Sequence, residues 1–163
     1  MFHQRKQIRL REFDYSSPNA YFITVCEKNF EPLLGWVKNG ICGLSEIGND
    51  VALRLQTIPV LNPNIILDEF IVMPNHFHAI LIITKNDGNY IGNQFQKPRS
   101  GSVSIIINAV KGATSKWCRL HNYKFEWQPK FHDHVIRNAE EYQVIKNYIS
   151  NNPSNWQTDK FYL

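Results

Sequence analysis

The chain lacks the long apolar run that a membrane span requires. Against the ~18 residues needed, its longest stretch, residues 79–84, is only the length of a strand. Behind the basic opening MFHQRKQIRLREF there is neither an apolar core nor a small-residue cleavage site, so no secretory leader is legible. Cysteine is scarce: Cys26, Cys42 and Cys118 are an odd, scattered set without a CxxC. That argues against a disulfide framework and suits a reducing compartment. No internal repeat and no low-complexity linker divides the chain. These absences leave a single domain, residues 1–163, expected in the cytoplasm.

What is present is enough apolar mass to fold. Of 163 residues, 43% are hydrophobic and 13% aromatic, which supports a real core and excludes a disordered chain. The net charge is +4, and it is unevenly spread. Residues 97–137 hold eight Lys and Arg against Glu126 and Asp133, and Arg5, Lys6, Arg9 and Arg11 crowd the N-terminal arm. This polarity fits a polyanionic partner such as nucleic acid, although charge alone equally describes a soluble basic protein.

Periodicity gives the element order. Residues 21–26 (YFITVC) alternate as a strand, and residues 33–44 read as a hairpin turning at Asn39-Gly40. Ser45 is placed to cap a helix in which Ile47, Val51, Leu55 and Ile58 recur at helical spacing, with Pro59 expected to stop it. Strands follow at 65–73 and 76–84, with Pro74-Asn75 as the turn between them. Residues 86–101 are a polar, turn-rich loop expected to be mobile. A helix at 102–119, a strand at 131–137 and a helix at 139–151 complete the chain. The order βαββαβ with an added C-terminal helix predicts an α+β, ferredoxin-like fold. It is a four-stranded antiparallel sheet with helices on one face, in which the strand at 76–84 is interior.

Three groups of residues can carry chemistry. His76 and His78 flank Phe77 in a strand, so alternation points both imidazoles to one face, where they can share a metal ion. His132 and His134 form a second such pair, beside basic residues that can meet phosphate or substrate. Either pair can equally be a buried, hydrogen-bonded pair of structural histidines, and a four-histidine zinc site spanning both strands is a further alternative. Tyr148 and Asn152 lie one helical turn apart on the last helix. A phenol with a pKa near ~10 needs activation or a strongly polarised target to act as a nucleophile. A core tyrosine beside a helix-ending asparagine satisfies the same residues, and Tyr142 competes on the same helix. Asp68 and Glu69 alternate to opposite faces and are left out of the ligand set.

The run from Leu67 to His78 (LDEFIVMPNHFH), then AILI, together with residues 148–153 (YISNNP), resembles the HUH single-tyrosine transposases. The branch it looks like is the REP-associated tyrosine (IS200-like) transposases. The lead-in DYSSPNAYFITVC, Trp127-Gln128 and residues 134–137 (HVIR) resemble that branch as well. The resemblance implies a transesterase acting on single-stranded DNA beside hairpin or palindromic sequences. His76, His78 and Asn152 would hold Mg²⁺ or Mn²⁺, and Tyr148 would form a 5′-phosphotyrosine. Religation then needs no ATP, in keeping with the lack of a Walker motif. Arg5, Lys6, Arg9, Arg11, Lys111, His134 and Arg137 are the candidate DNA contacts. Phe95, Trp117 and Trp127 are candidate base-stacking rings, for each of which core packing is the competing explanation. Monomer and homodimer, the latter with the tyrosine helix swapped, are both open. The competing functions are a relaxase or replication-initiator nuclease with the same chemistry, and a ferredoxin-like domain that binds single-stranded nucleic acid without cutting it.

Overall fold

The computed structural model describes residues 15–84 and 102–162. The elements run β1 (Asn19–Cys26), β2 (Gly35–Lys38), β3 (Ile41–Leu44), α1 (Glu46–Leu61), β4 (Ile65–Val72), β5 (His76–Ile83), α2 (Val103–Leu120), β6 (His132–Ile136) and α3 (Ala139–Asn151). A 3-10 turn at Trp156–Thr158 follows. Four strands make one sheet in the order β4-β5-β1-β6, with each neighbouring pair antiparallel. β2 and β3 form a separate two-stranded ribbon. Apart from that ribbon, the order is the expected ferredoxin-like one, and β5 is interior. Among the described residues, no helix is long and apolar enough to cross a membrane.

The helix starts follow from their caps. Ser45 Oγ accepts from the Gly48 N–H at 3.1 Å and donates to the Leu33 carbonyl at 2.7 Å. Asn138 Oδ1 accepts from the Glu141 N–H at 2.8 Å at the head of α3. Both satisfy a donor that the first helical turn leaves free. Pro59 does not stop α1 as expected, because the helix continues to Leu61. Closure is made instead at Asn62, whose backbone N–H and side-chain Nδ2 both donate to the Ile58 carbonyl at 2.9 Å. Proline within the last turn removes only one backbone bond, and the turn behind it survives.

The sheet is buried on both faces. Tyr21, Ile23 and Val25 of β1 and Phe77, Leu81 and Ile83 of β5 meet α1 and α2 through Val51, Leu55, Ile107 and Val110. The alternate residues face α3, where Ile80, Ile136 and Ile149 form a second cluster edged by Phe22, Ile71 and Ile82. The β4–β5 register shifts between Leu67 and Phe70, so a bulge falls at Asp68 and Glu69. Asp68 turns to α3, where it takes the Tyr142 hydroxyl and, at 3.2 Å, the Lys146 ammonium.

Two glycine substitutions should move stability in opposite directions. A Cβ on Gly48 would lie 1.9 Å from the Leu34 carbonyl oxygen, whereas one on Gly112 meets nothing within 4 Å. Gly48→Ala should therefore cost ~1–3 kcal/mol and lower Tm by several degrees. Gly112→Ala, in the middle of α2, should raise stability by ~0.5–1 kcal/mol. Thermal denaturation of the two variants checks both signs.

Candidate active site

Interior strand β5 brings His76 and His78 to the α3 face, and both imidazoles are essentially fully buried. Each ring has its Nδ1 occupied. Asn75 Nδ2 donates to the Phe30 and Phe161 carbonyls at 2.9 and 2.8 Å, which leaves Asn75 Oδ1 free only to accept. It does so from His76 Nδ1 at 2.9 Å, so the proton of His76 sits on Nδ1. His78 Nδ1 lies 2.8 Å from the Thr24 hydroxyl, on the residue paired with it in β1. The two Nε2 atoms therefore face each other, 3.1 Å apart.

Burial keeps both rings neutral. It is the main cause that pushes His76 down to about 3, with the nearby Lys160 charge adding to it. Burial, then the neighbouring His76, lowers His78 well below the usual histidine range. Neutral imidazoles with Nδ1 fixed and Nε2 converging are the form in which histidine binds a metal, and the partners on Nδ1 are the support such ligands require.

Tyr148 reaches this pair and Tyr142 does not. The Tyr148 hydroxyl is 3.4 Å from His78 Nε2 and 3.0 Å from Asp159 Oδ2. Phe22 stacks on the His78 ring at 5.1 Å and takes the edge of the Tyr148 ring at 6.2 Å, so one side chain positions both. Tyr142 is instead tied to Asp68, with Lys146 over its ring at 5.8 Å. Burial, and then the Asp159 carboxylate, push the Tyr148 phenol up to about 12, so it is protonated at neutral pH. Asn152, one turn on, is buried. Its Nδ2 donates to Asp159 Oδ2 at 3.1 Å, while its Oδ1 has no hydrogen-bond partner. A buried amide oxygen without a donor is costly unless something else meets it. Two convergent imidazole nitrogens and this oxygen are a donor set that suits a divalent cation. No group of three or more His, Cys, Asp or Glu among the described residues is arranged to hold a metal, so the four-histidine alternative does not form.

The segment after α3 was missed by sequence reasoning. Phe161 packs on the His76 ring at 4.4 Å and Trp156 lies at 6.0 Å, while Asp159 takes the hydrogen bonds of Tyr148 and Asn152. The only sequence signal was an aromatic cluster, Trp156, Phe161 and Tyr162, around a single acid.

The other candidates scatter. His134 Nε2 pairs with Glu141 at 2.6 Å beside the first turn of α3. Arg137 is exposed at the same place, its backbone N–H on Glu141 at 2.7 Å. Lys111 sits on α2, the helix of the opposite sheet face, and donates to the Gln128 and Pro129 carbonyls at 2.8 and 3.2 Å. The structure does not bring it to the histidine pair. Trp127 is core, edge-on to Phe77 and Phe125, and Trp117 is already stacked on His121 and Tyr123. Arg5, Lys6, Arg9, Arg11, Phe95 and the loop at 86–101 lie outside the described residues.

A ferredoxin-like sheet with a histidine pair on its central strand and a tyrosine brought to it by the last helix defines the class. Comparison with known proteins adds the family. The chain is 34% identical to an uncharacterised protein of Haemophilus influenzae, over 99% of this chain and 94% of that one. It is 28% identical to the REP-associated tyrosine transposase of Escherichia coli over 87 residues, 53% of this chain and 43% of that protein. In structure it matches a REP-associated tyrosine transposase solved bound to a REP hairpin, with a TM-score of 0.63 and 21% identity over 93% of this chain and 76% of that one. No protein-family model matches. The chain belongs to one family with that Haemophilus protein, and it is similar to REP-associated tyrosine transposases in sequence over about half its length and in fold.

The Asp159 carboxylate helps hold the Tyr148 proton in place, so Asp159→Asn should lower the phenol's pKa from about 12. Burial remains, so the value should stay above the ordinary ~10. Titration of the tyrosine Cζ signals by ¹³C NMR, with Tyr148→Phe for assignment, reads the change. An unmoved Tyr148 titration would mean that burial alone sets it.

Proposed function

We propose that this protein is a metal-dependent, single-stranded DNA transesterase that cuts and rejoins strands beside hairpin sequences. The observation that carries the proposal is the approach of the Tyr148 hydroxyl to His78 Nε2, 3.4 Å, in a chain similar to tyrosine transposases. The solved relative bound to a REP hairpin supports DNA of that shape as the partner.

In the proposed step, Tyr148 Oη attacks the scissile phosphorus. A 5′-phosphotyrosine bond forms, the bond to the 3′-oxygen breaks, and the phenol proton ends on that oxygen. One phosphodiester replaces another, so the reverse attack by a 3′-hydroxyl rejoins a strand without an external energy source. His76 and His78 through Nε2, and Asn152 through Oδ1, would hold Mg²⁺ or Mn²⁺. When bound, such an ion supplies polarisation of the phosphate. That need is real here, because the phenol is held protonated. Phe22, Asn75 and Thr24 position these groups, and Lys160 is the described cation whose charge acts on both imidazoles.

The test is a denaturing-gel assay with hairpin oligonucleotides copied from the DNA beside the gene, in Mn²⁺, Mg²⁺ or EDTA. A denaturant-resistant protein–DNA adduct that needs the metal is expected. Tyr148→Phe should abolish it while leaving hairpin binding in place, and His76→Ala or His78→Ala should abolish it through the metal. Persistence in Tyr148→Phe with loss in Tyr142→Phe would reassign the nucleophile. Binding without an adduct in either metal would favour a non-catalytic DNA-binding domain.

Thr24→Val tests the histidine support separately. It keeps the shape but removes the hydroxyl 2.8 Å from His78 Nδ1. The Mn²⁺ concentration for half-maximal adduct formation should rise roughly 10–100-fold. An unchanged requirement would show that Thr24 does not orient the ligand.

A further inference from the structure

The β2–β3 ribbon stands outside the main sheet, and its tip lies beside the segment that covers the histidine pair. At its tip Asn39 and Gly40 both take positive φ, 53° and 74°, and a Cβ on Gly40 would lie 3.4 Å from Ser154 Oγ. Trp36 of β2 is paired with Gly43 of β3, and its indole lies across that glycine: a Cβ there would fall 2.1 Å from the ring. Backbone thus seats one face of the indole, while the side chain stays 55% exposed. A large ring fixed in place and left open is a prepared surface.

Between the ribbon and the segment after α3 runs a groove of about 580 Å³. That is within the ~300–1,000 Å³ common for small-ligand sites. Trp36, Trp156 and Tyr162 give it aromatic faces, Asn39, Ser154 and Gln157 give it amides and a hydroxyl, and among the described residues no charged side chain lines it. The groove also borders the candidate active site. Asn75 lines it and bonds His76, and the Trp156 ring is 6.0 Å from the His76 ring.

These properties select a class of ligand. A lining that has no Lys or Arg among the described residues is poorly suited to phosphate, which proteins meet mainly with those side chains. Flat aromatic faces beside groups that both donate and accept suit a neutral, planar, hydrogen-bonding ring. We propose that this groove is a nucleobase subsite. It takes an unpaired base of the DNA strand that enters the Tyr148 site, stacked on Trp36 with its edge against Asn39 and Gln157. The proposal rests on the function proposed above only in taking DNA as the ligand. Stacking would supply affinity for any base, and the side-chain amides would supply preference among bases. The selection of sequence next to the hairpin is then partly the work of the β2–β3 ribbon.

The test uses fluorescence anisotropy in the Tyr148→Phe background, so that no covalent link forms. The probes are hairpin oligonucleotides copied from the DNA beside the gene, with their single-stranded flanks kept or trimmed to the foot of the stem. Flanks should tighten binding. Trp36→Ala should weaken the flanked probe about tenfold and leave the trimmed probe unchanged, while Trp36→Phe, which keeps a flat ring, retains most of the affinity. Gly43→Val, which pushes the indole off its seat, should produce the same selective loss. Flanks that add nothing, or a Trp36→Ala loss equal on both probes, would overturn the subsite. An adduct formed with Tyr148 intact, alongside a flank preference indifferent to Trp36→Ala, would sink the subsite and spare the transesterase. A Trp36-dependent flank preference without any adduct would do the reverse.

Discussion

The two-residue side-chain period of β5 is the constraint on which the rest of the molecule depends. Phe77, Leu81 and Ile83 go to the core under α1 and α2, so His76, His78 and Ile80 must go to the face covered by α3. Because β5 is hydrogen-bonded on both edges, by β4 and β1, its backbone cannot slip without turning that whole pattern over. The strand that anchors the core therefore also aims the imidazoles. Rings buried this deeply need partners, and Asn75 and Thr24 supply one to each Nδ1. Among the described residues the remaining nitrogens meet only each other and the Tyr148 hydroxyl, which keeps all three groups at one point.

The helix that carries the tyrosine is held differently. Among the described residues of α3 only Ile149 is fully buried, with Tyr142 and Ile145 packed partly buried against the same cluster. The rest of its placement comes from polar ties to the sheet: Tyr142 and Lys146 to Asp68, and Glu141 to His134. Tyr142 and Tyr148 thereby take separate tasks, one as a strut on the β4 bulge and the other beside His78. Elements held by partly exposed polar contacts and little apolar burial lie at the less stable end of a fold. Here the deeply rooted part of the site is the histidine pair, and the less rooted part is Tyr148 with the segment that follows it.

That following segment joins the two sides of the site. Phe161 closes over His76, Asp159 takes the hydrogen bonds of Tyr148 and Asn152, and Trp156 lies between the histidine pair and the groove beside the ribbon. The separate ribbon, the sheet and the chain's last turn thus meet at one place. Asn75 makes the junction, with its side chain bonded to residues 30, 76 and 161 at once.

By itself the sequence determined the order of the elements, the shared face of His76 and His78, the caps at Ser45 and the one-turn spacing of Tyr148 and Asn152. Those follow from the fixed periods of strand and helix, which act over a few residues. Only the tertiary structure decided that Tyr148 rather than Tyr142 reaches the pair, across 70 positions of chain. It also turned Lys111 to the Gln128 and Pro129 carbonyls, kept α1 running through Pro59, and laid Asp159 and Phe161 over the site. Each of those outcomes depends on which surfaces pack together once the sheet is formed. No local period encodes that, because packing is chosen by the fit of side chains from distant parts of the chain.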